Sequence, residues 1–337
     1  NKTINIGPHS AQFADTNVKG EQIKIEGESF YKISNVNGMR PFFMTIVSNS
    51  NHWMFISSTG ALSAGRKNSD TALFPYYTDD KITDSFETTG SKTIFLIERN
   101  GKRFLWEPFS LRQISLYKIS RNLYKNSFGN KVIFEEINHD LGIRFTYEWN
   151  STDRYGFVRK SMLSNTSSST VKVQFIDGIQ NVLPFGVEEA LQNSTSNLVD
   201  AYKRTELIEG SSLAIFALSA IIVDKAEPSE ALKSNIAWCL GLENPTILLS
   251  SKQLDVFRRG EEVLQEMDIK AEKGAYLLNS EVVLEPNESK EWMLVADVNQ
   301  TISDIVEIKS KIQTVSDLKS IILNKGSKDN VKIGMAV

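Results

Sequence analysis

Short hydrophobic runs with a two-residue repeat dominate the chain from residue 20 to about residue 300. The clearest is GIRFTYEW at residues 142–149, in which apolar residues at odd positions alternate with Arg144, Thr146 and Glu148. Such alternation predicts a strand with one buried and one polar face. Similar runs predict strands at residues 41–47, 52–57, 92–99, 114–120, 131–137, 170–177, 275–284 and 291–298.

Helical patterns are rare in this part of the chain. Only residues 186–202 and 251–267 look helical, and most of the predicted strands are joined by short polar turns. Strands that follow one another without long intervening helices favour antiparallel sheets packed face to face. The sequence therefore predicts a mainly β protein, a large antiparallel β-sandwich.

After Asp297 the spacing of apolar residues changes to three and four. This spacing predicts two helices, with Ser303 and Ser316 as N-caps and the second helix ending at Gly326. We therefore predict a β-sandwich domain over residues 1–300 and a short C-terminal helical linker over residues 301–337. We expect the linker to dock on the sandwich and to lead toward a further domain.

Composition and charge narrow the classes of function. The 337 residues are 41% hydrophobic and 23% charged, with a net charge of −3 and no basic stripe, so we expect no nucleic-acid partner. The apolar run SSLAIFALSAIIV at residues 211–223 is shorter than the roughly 20 residues of a membrane span, so we expect buried strands and no membrane contact. Cys239, the only cysteine, is predicted to be a buried, inert thiol. That fits a cytoplasmic protein, and a periplasmic location stays open.

No motif for metal or cofactor binding is visible. His9, His52 and His139 are far apart in the sequence, and no phosphate-binding glycine loop or nucleophile elbow is present. We therefore predict no metal, no cofactor and no catalytic residue.

The stretch STGALSAGRKNSDTALFPYYTDDKI, residues 58–82, has neither a helical nor a strand period, and it concentrates planar and charged side chains. Aromatic rings stack on sugars, and carboxylates, amides and guanidinium groups bind hydroxyls. The candidates for sugar binding are Trp53, Arg66, Asn68, Tyr76, Tyr77, Asp79, Asp80 and Trp106. The competing interpretations are core packing for the rings, a turn or cap for the aspartates, and an ion pair of Arg66 with Asp79 or Asp80.

A second candidate stretch is IDGIQNVLP, residues 176–184. Asp177, Gly178, Asn181 and Pro184 predict a turn at the end of a strand. Gln180 and Asn181 are candidates for binding sugar hydroxyls, although the simple turn is the favoured interpretation.

Three stretches together resemble a known family. They are HWMFISSTGALSAGRKNSDTALFPYYTDDKI, then YGFVRKSMLSN with FIDGIQNVLPFGVE, and VVLEPNESKEW. They are similar to the N-terminal β-sandwich of the cellobiose and chitobiose phosphorylase group, glycoside hydrolase family 94. The resemblance implies a galactose-mutarotase-like supersandwich, followed in complete members by linker helices and a catalytic (α/α)6 barrel.

The resemblance also implies a function and partners. The chain would be a non-catalytic accessory domain of a glycoside phosphorylase or hydrolase. Its partners would be a sugar or oligosaccharide, the barrel domain and a second copy in a homodimer, and residues 65–80 would face the barrel. Two alternatives stay open: a stand-alone aldose epimerase, which needs an acid and a base on opposite sides of the sugar, and a purely structural or assembly module.

Overall fold

The computed structural model describes residues 3–220 and 233–325 of the chain. Antiparallel strands dominate it, and short helices follow at the C-terminal end. The predicted large antiparallel β-sandwich with short C-terminal helices is therefore confirmed. The last part of the apolar run at 211–223 and the predicted helix end at Gly326 lie outside the described residues.

One layer of the sandwich is a long antiparallel sheet, which contains eleven strands among the described residues. In chain order its strands are β3 (Lys19–Ile25), β4 (Glu28–Ser34), β11 (Ile119–Asn126), β12 (Val132–Asn138), β13 (Ile143–Thr152), β14 (Gly156–Asn165), β16 (Lys203–Leu207), β17 (Ala214–Leu218), β18 (Lys233–Leu240), β20 (Asp268–Lys270) and β22 (Ser289–Thr301). Their spatial order across the sheet is β20, β16, β17, β18, β22, β14, β13, β12, β11, β4 and β3.

Two smaller sheets form the opposite layer. The five-stranded sheet has the order β10 (Lys102–Trp106), β9 (Gly90–Arg99), β15 (Val171–Val182), β21 (Gly274–Leu284) and β19 (Thr246–Leu248). The four-stranded sheet has the order β5 (Phe43–Ile46), β6 (His52–Ser57), β7 (Leu62–Arg66) and β8 (Ala72–Phe74). A hairpin of β1 (Asn5–Ile6) and β2 (His9–Ser10) lies apart from these sheets.

The main core lies between the two layers, and β13 shows how the sequence builds it. Phe145 and Trp149 point inward and are completely buried, while Arg144 and Glu148 lie on the other face and are partly exposed. The inward rings pack with residues of both smaller sheets, including Phe175. The two-residue alternation read from GIRFTYEW thus separates a core face from an outer face.

The helices are short and lie outside the sheets. They are α1 (Asp79–Asp84), α2 (Glu189–Asp200), α3 (Leu254–Arg258) and α4 (Ile302–Thr314), with further helical residues at 318–325 and a 3₁₀ turn at Val36–Gly38. The helix predicted over 251–267 is wrong beyond Arg258. The carboxylate of Glu266 accepts hydrogen bonds from the backbone N–H of Leu249 (2.6 Å) and Ser250 (2.9 Å). These bonds hold the segment after α3 in a non-helical conformation beside residues 249–250. The strand predicted at 114–120 begins only at Ile119.

The C-terminal helices dock on the outer face of the long sheet. The N-cap of α4 is Thr301 and not the predicted Ser303, because Thr301 and Asp304 form a reciprocal capping box. Ile305, Leu318 and Ile322 pack against Trp238 and its neighbours on the sheet. These helices therefore cover the outer face at β18, β22 and β14.

A buried ion pair joins the two layers. Arg159 on β14 donates to both carboxylate oxygens of Asp177 on β15, at 2.7 and 2.9 Å, and both side chains are almost fully buried. Thr93, Ser161 and Trp292 donate further hydrogen bonds to Asp177. This network stabilises Asp177 inside a strand.

The predicted turn at residues 176–184 is accordingly wrong. β15 continues to Val182, with a bulge between Gln180 and Val182 where Asn181 has a φ of 56°. Gly178 marks a close approach of two strands, since a Cβ there would lie 2.0 Å from the carbonyl oxygen of Tyr276. Glycine in a strand interior signals such an approach as readily as a turn.

Candidate functional site

Three aromatic side chains form an exposed cluster on the outer face of the four-stranded sheet. The rings of Trp53 and Tyr76 meet edge to face at 5.5 Å, and Phe55 lies 6.0 Å from Trp53 and 6.5 Å from Tyr76. Phe55 is 36% exposed and Tyr76 is 37% exposed. The indole N–H of Trp53 donates to the carbonyl oxygen of Asn68 at 3.1 Å, which fixes the ring. We call Trp53, Phe55 and Tyr76 the aromatic surface.

Three further candidates, Tyr77, Asp79 and Asp80, follow Tyr76 in the chain. Tyr77 accepts a hydrogen bond from the side chain of Gln192 on α2 at 2.9 Å. Asp79 and Asp80 lie exposed in the first turn of α1, where the helix dipole favours negative charge. The hydroxyl of Thr78 donates to Asp80 and is the main reason why the pKa of Asp80 lies below its ordinary value.

Arg66 is fixed by partners that the sequence did not suggest. Its guanidinium donates to both carboxylate oxygens of Asp297, at 3.3 and 3.0 Å, and it also contacts Asp153 and Asn51. The suggested ion pair of Arg66 with Asp79 or Asp80 is therefore wrong. Because Asp297 lies on β22, this contact ties the four-stranded sheet to the long sheet.

His52 and Asp297 lie beside Arg66 and have strongly shifted pKa values. Burial, and then the charge of Arg66, lower the pKa of His52 to about 3. Burial raises the pKa of Asp297 to about 6, although the attraction of Arg66 opposes this shift. His52 Nδ1 is 2.7 Å from the Ser50 hydroxyl, whereas Nε2 is buried without a hydrogen-bond partner among the described residues.

Gln180 and Asn181 lie beneath the loop that follows α1 and are buried. The side chain of Gln180 donates to the carbonyl oxygen of Glu87 at 2.7 Å, and that of Asn181 donates to Thr89 at 2.9 Å. Both amides thus hold the 85–89 loop against β15. Trp106, the fourth aromatic candidate, is only 1% exposed and stacks on Phe95 in the core, so core packing accounts for it.

Glu87 lines a small cleft together with Lys92 and Ser110, and a second carboxylate, Glu107, is buried beside Lys92. Lys92 bridges them, at 2.9 Å from Glu87 and 3.0 Å from Glu107, and Arg258 adds two hydrogen bonds to Glu107. Burial alone would raise both pKa values, but Lys92 and the hydrogen bonds outweigh it and keep both below their ordinary values. This pair therefore favours the ionised form and is unsuited to act as a general acid.

The outer face of the long sheet carries a groove of about 520 Å³, which the sequence analysis missed. Its floor is formed by β11 to β14, and its walls are formed by β3 and β4 on one side and by Leu323 on the other. Glu148 and Lys160 lie directly opposite each other on β13 and β14. Glu135 lies one row along, opposite Thr146, and is held by hydrogen bonds from Asn122 (2.8 Å) and Tyr124 (2.7 Å).

Glu148 is a carboxyl group of this groove with a perturbed pKa. Burial, followed by repulsion from Glu28 and Glu26, raises its pKa against the attraction of Lys160 and Lys131. The available signal was the polar face of GIRFTYEW, which ordinary alternation assigns to solvent. That this face lies within a groove depends on β3 and β4, which are more than a hundred residues away in the sequence.

Other kinds of site find little support among the described residues. No group of three or more His, Cys, Asp or Glu side chains there is arranged to hold a metal ion. Across residues 3–220 and 233–325, no helix combines the length and the apolar character that a membrane crossing requires. Cys239 is buried, and burial raises the pKa of its thiol.

Neither a protein-family model nor a curated protein sequence matches this chain. Among solved structures, it is similar to a bacterial glucoamylase complexed with acarbose (10% identity, TM-score 0.48), covering 87% of this chain and 38% of the glucoamylase chain. It is also similar to a galactose mutarotase-like protein from Lactobacillus casei (12% identity, TM-score 0.40), covering 77% of this chain and 100% of that one. A candidate kojibiose phosphorylase from the human microbiome has 12% identity and a TM-score of 0.40, with 88% of this chain and 31% of that one covered.

The chain thus spans about a third of the glucoamylase and phosphorylase chains. All three TM-scores lie below 0.5, so the β-sandwich rests on the strand pairing of this chain itself.

Proposed function

We propose that the chain is a non-catalytic accessory domain of a carbohydrate-active protein and that the aromatic surface is its contact region. The observation that carries this proposal is the exposure of Phe55 and Tyr76 around a fixed Trp53. Flat apolar rings with a polar border suit the C–H face of a sugar or the surface of a second domain. Arg66, Asn68, Tyr77, Asp79 and Asp80 supply that border or position the loop, while Gln180 and Asn181 support it from beneath.

The proposed partners are a sugar or oligosaccharide and a catalytic (α/α)6 barrel of the parent chain. The sequence resemblance to family 94 supports the barrel, and the packing of Trp53 supports a surface that is rigid before contact. A preformed surface loses little entropy when it binds. Reading the gene beyond residue 337 tests the barrel partner. A following helical-repeat region supports the proposal, and a stop codon contradicts it.

Tryptophan fluorescence tests sugar binding at the aromatic surface. The structure describes all five tryptophans, and Trp106, Trp149, Trp238 and Trp292 are at most 1% exposed, so a sugar at the surface perturbs Trp53 alone. We expect cellobiose or a longer glucan to shift the emission of the wild type, and Trp53→Phe to abolish the shift. Sugar binding that leaves the emission unchanged and survives Tyr76→Ala would contradict this location.

The non-catalytic part of the proposal has a separate test. Purified chain incubated with cellobiose and phosphate should release no sugar phosphate, because the described carboxylates at Glu87 and Glu107 are held ionised by Lys92. Phosphorolysis above the background of a Glu107→Gln variant would contradict it. A homodimer through the aromatic surface predicts a dimer by sedimentation that Phe55→Glu dissociates.

A second candidate function is an aldose epimerase, and Glu148 favours it. A carboxyl group with a raised pKa in an open groove suits proton donation to a sugar ring oxygen, and a second carboxyl group, Glu135, lies nearby on β12. Polarimetry of freshly dissolved glucose or galactose decides between the two. Mutarotation accelerated by the wild type, and not by Glu148→Gln, supports the epimerase and overturns the accessory role.

A further inference from the structure

We propose that the groove on the outer face of the long sheet is a second binding site, separate from the aromatic surface, and that it takes an uncharged saccharide. The two sites lie on opposite layers of the sandwich, since the four-stranded sheet packs on the inner face of the long sheet. The inference therefore does not rest on the accessory role proposed above.

Three side chains in the groove have unused hydrogen-bonding capacity. Glu148 and Lys160 are cross-strand neighbours, yet the side chain of neither makes a hydrogen bond or an ion pair with any residue in the described ranges. The Nε of Arg144 is buried without a hydrogen-bond partner among the described residues and lies 4.0 Å from Glu135. Partly buried polar groups usually find partners within the protein, so three that do not find them mark a place for a ligand.

The chemistry of these groups fits hydroxyls. Glu148 accepts hydrogen bonds from hydroxyl groups, whereas Lys160 and Arg144 donate to hydroxyl oxygens. A pyranose that lies across β13 and β14 would place neighbouring hydroxyls between Glu148 and Lys160. The cross-strand spacing of about 4.5–5.5 Å between Cβ atoms leaves both side chains within reach of one sugar ring.

The lining is also amphipathic, as a sugar requires. Ile23, Ile25, Phe30, Ile133, Met162 and Leu323 supply apolar surface beside the charged groups. The volume of about 520 Å³ lies within the usual range for small-molecule sites. Apolar walls contact C–H groups while the polar floor binds hydroxyls, so the groove suits a ring with both kinds of edge.

The charges of the groove decide between classes of sugar. Five carboxylates line it, from Glu26, Glu28, Glu135, Glu148 and Glu291, against three cations in the lining, from Lys131, Arg144 and Lys160, and Lys319, which pairs with Glu291 at 3.1 Å. An excess of negative charge repels uronic acids and sugar phosphates. An uncharged hexose or short oligosaccharide does not meet this repulsion.

Isothermal titration calorimetry with the whole chain tests this site. The probes are D-glucose, cellotriose and maltotriose, with D-glucuronate as the charged counterpart. We expect at least one neutral probe to bind and D-glucuronate to bind more weakly. Glu148→Gln and Lys160→Met should each weaken the neutral complex by roughly 10- to 100-fold, the usual loss when a hydrogen bond to a charged group is removed.

A matched control comes from the opposite side of the molecule. Lys172→Met removes an exposed lysine from the five-stranded sheet, where it pairs with Glu281, and should leave the affinity unchanged. Circular dichroism and thermal unfolding confirm that each variant is folded.

Binding should also depend on pH. Glu148 faces Lys160 on β14, Lys131 just before β12, Glu28 on β4 and Glu26 in the turn between β3 and β4, with Glu135, Tyr124 and Glu291 on the neighbouring strands. Since the carboxylate form accepts two hydroxyl hydrogen bonds, affinity falls as pH drops through the pKa of Glu148, and Glu148→Gln removes this dependence.

Three outcomes overturn the inference. They are no binding by any neutral probe, preferential binding of D-glucuronate, and neutral binding that both groove variants leave intact. If Trp53→Phe alone changes the sugar response, the aromatic surface holds the sugar and the groove does not. If only the groove variants change it, the proposed function of the aromatic surface fails for sugars while this inference stands.

Discussion

Two charged residues that are neighbours on β14, Arg159 and Lys160, differ in their hydrogen-bonding partners on the two faces of the long sheet. On the inner face, Arg159 and Asp177 are buried together, and every polar atom of the pair has hydrogen-bonding partners. On the outer face, the next residue along β14 is Lys160, which lies opposite Glu148. The two side chains form neither a hydrogen bond nor an ion pair with each other. Full pairing identifies the inner charges as structural. The unused hydrogen-bonding capacity of Glu148 and Lys160 in the groove indicates a ligand on the outer face.

The largest expected effect comes from breaking the inner pair. Asp177→Asn leaves the guanidinium of Arg159 buried without its counter-charge, and removing one partner of a buried pair typically costs about 3–5 kcal/mol. Urea unfolding measures the loss. In contrast, Lys160→Met on the outer face should change the free energy of unfolding by less than about 1 kcal/mol. Equal losses of unfolding free energy for Asp177→Asn and Lys160→Met would contradict the distinction between the two faces.

The next effect concerns His52 on β6 in the opposite layer, whose buried Nε2 has no hydrogen-bond partner among the described residues. The unfolded chain binds a proton at His52 below pH 6.5, whereas the folded chain resists it down to about pH 3. The free energy of unfolding should therefore fall as pH drops through this window. Asp297, with its pKa raised to about 6, acts in the opposite direction between its ordinary value of 3.8 and pH 6.

A comparison with His52→Asn isolates the histidine contribution. Asn keeps a polar group toward Ser50 but cannot be protonated. Relative to this variant, the wild type should lose about 2 kcal/mol between pH 7.5 and pH 5, at 1.36 kcal/mol for each unit below 6.5. Urea unfolding at both pH values measures it. A difference that does not change with pH would mean that His52 is protonated in the folded state.

The smallest effect sharpens the description of the outer face. The pKa of Glu148 is raised in the folded chain, so the folded state is least favoured where the carboxyl is ionised. Its contribution to stability is present at low pH and declines as pH rises through the window above its ordinary value of 4.5. Relative to the wild type, Glu148→Gln should therefore have a slightly higher melting temperature at pH 8, and this difference should be smaller at pH 4. A lower melting temperature at pH 8 would show that Glu148 is a structural carboxylate.

The sequence predicted the architecture because the period of two is a local signal. GIRFTYEW alone shows which residues face the core, and the same reasoning located most of the long strands. It failed where a distant partner changed the meaning of a residue. Asp177 suggested a turn because neither Arg159 nor Trp292 could be identified as its partner from local sequence.

The candidate sites divide in the same way. The sequence offered Trp53, on a predicted strand, and Tyr76, in the irregular stretch 58–82, as aromatic candidates, and the structure places these two in contact. Glu148 and Lys160 were read as an ordinary solvent face. The walls that turn this face into a groove come from β3, β4 and the 318–325 helix, and no local pattern reports that they meet there.

The most direct test is a crystal structure of the chain soaked with cellotriose or maltotriose. The account predicts a sugar ring in the groove, with hydroxyls within hydrogen-bonding distance of both Glu148 and Lys160. A sugar that lies only on the aromatic surface at Trp53 and Tyr76, with the groove side chains unchanged, would contradict it.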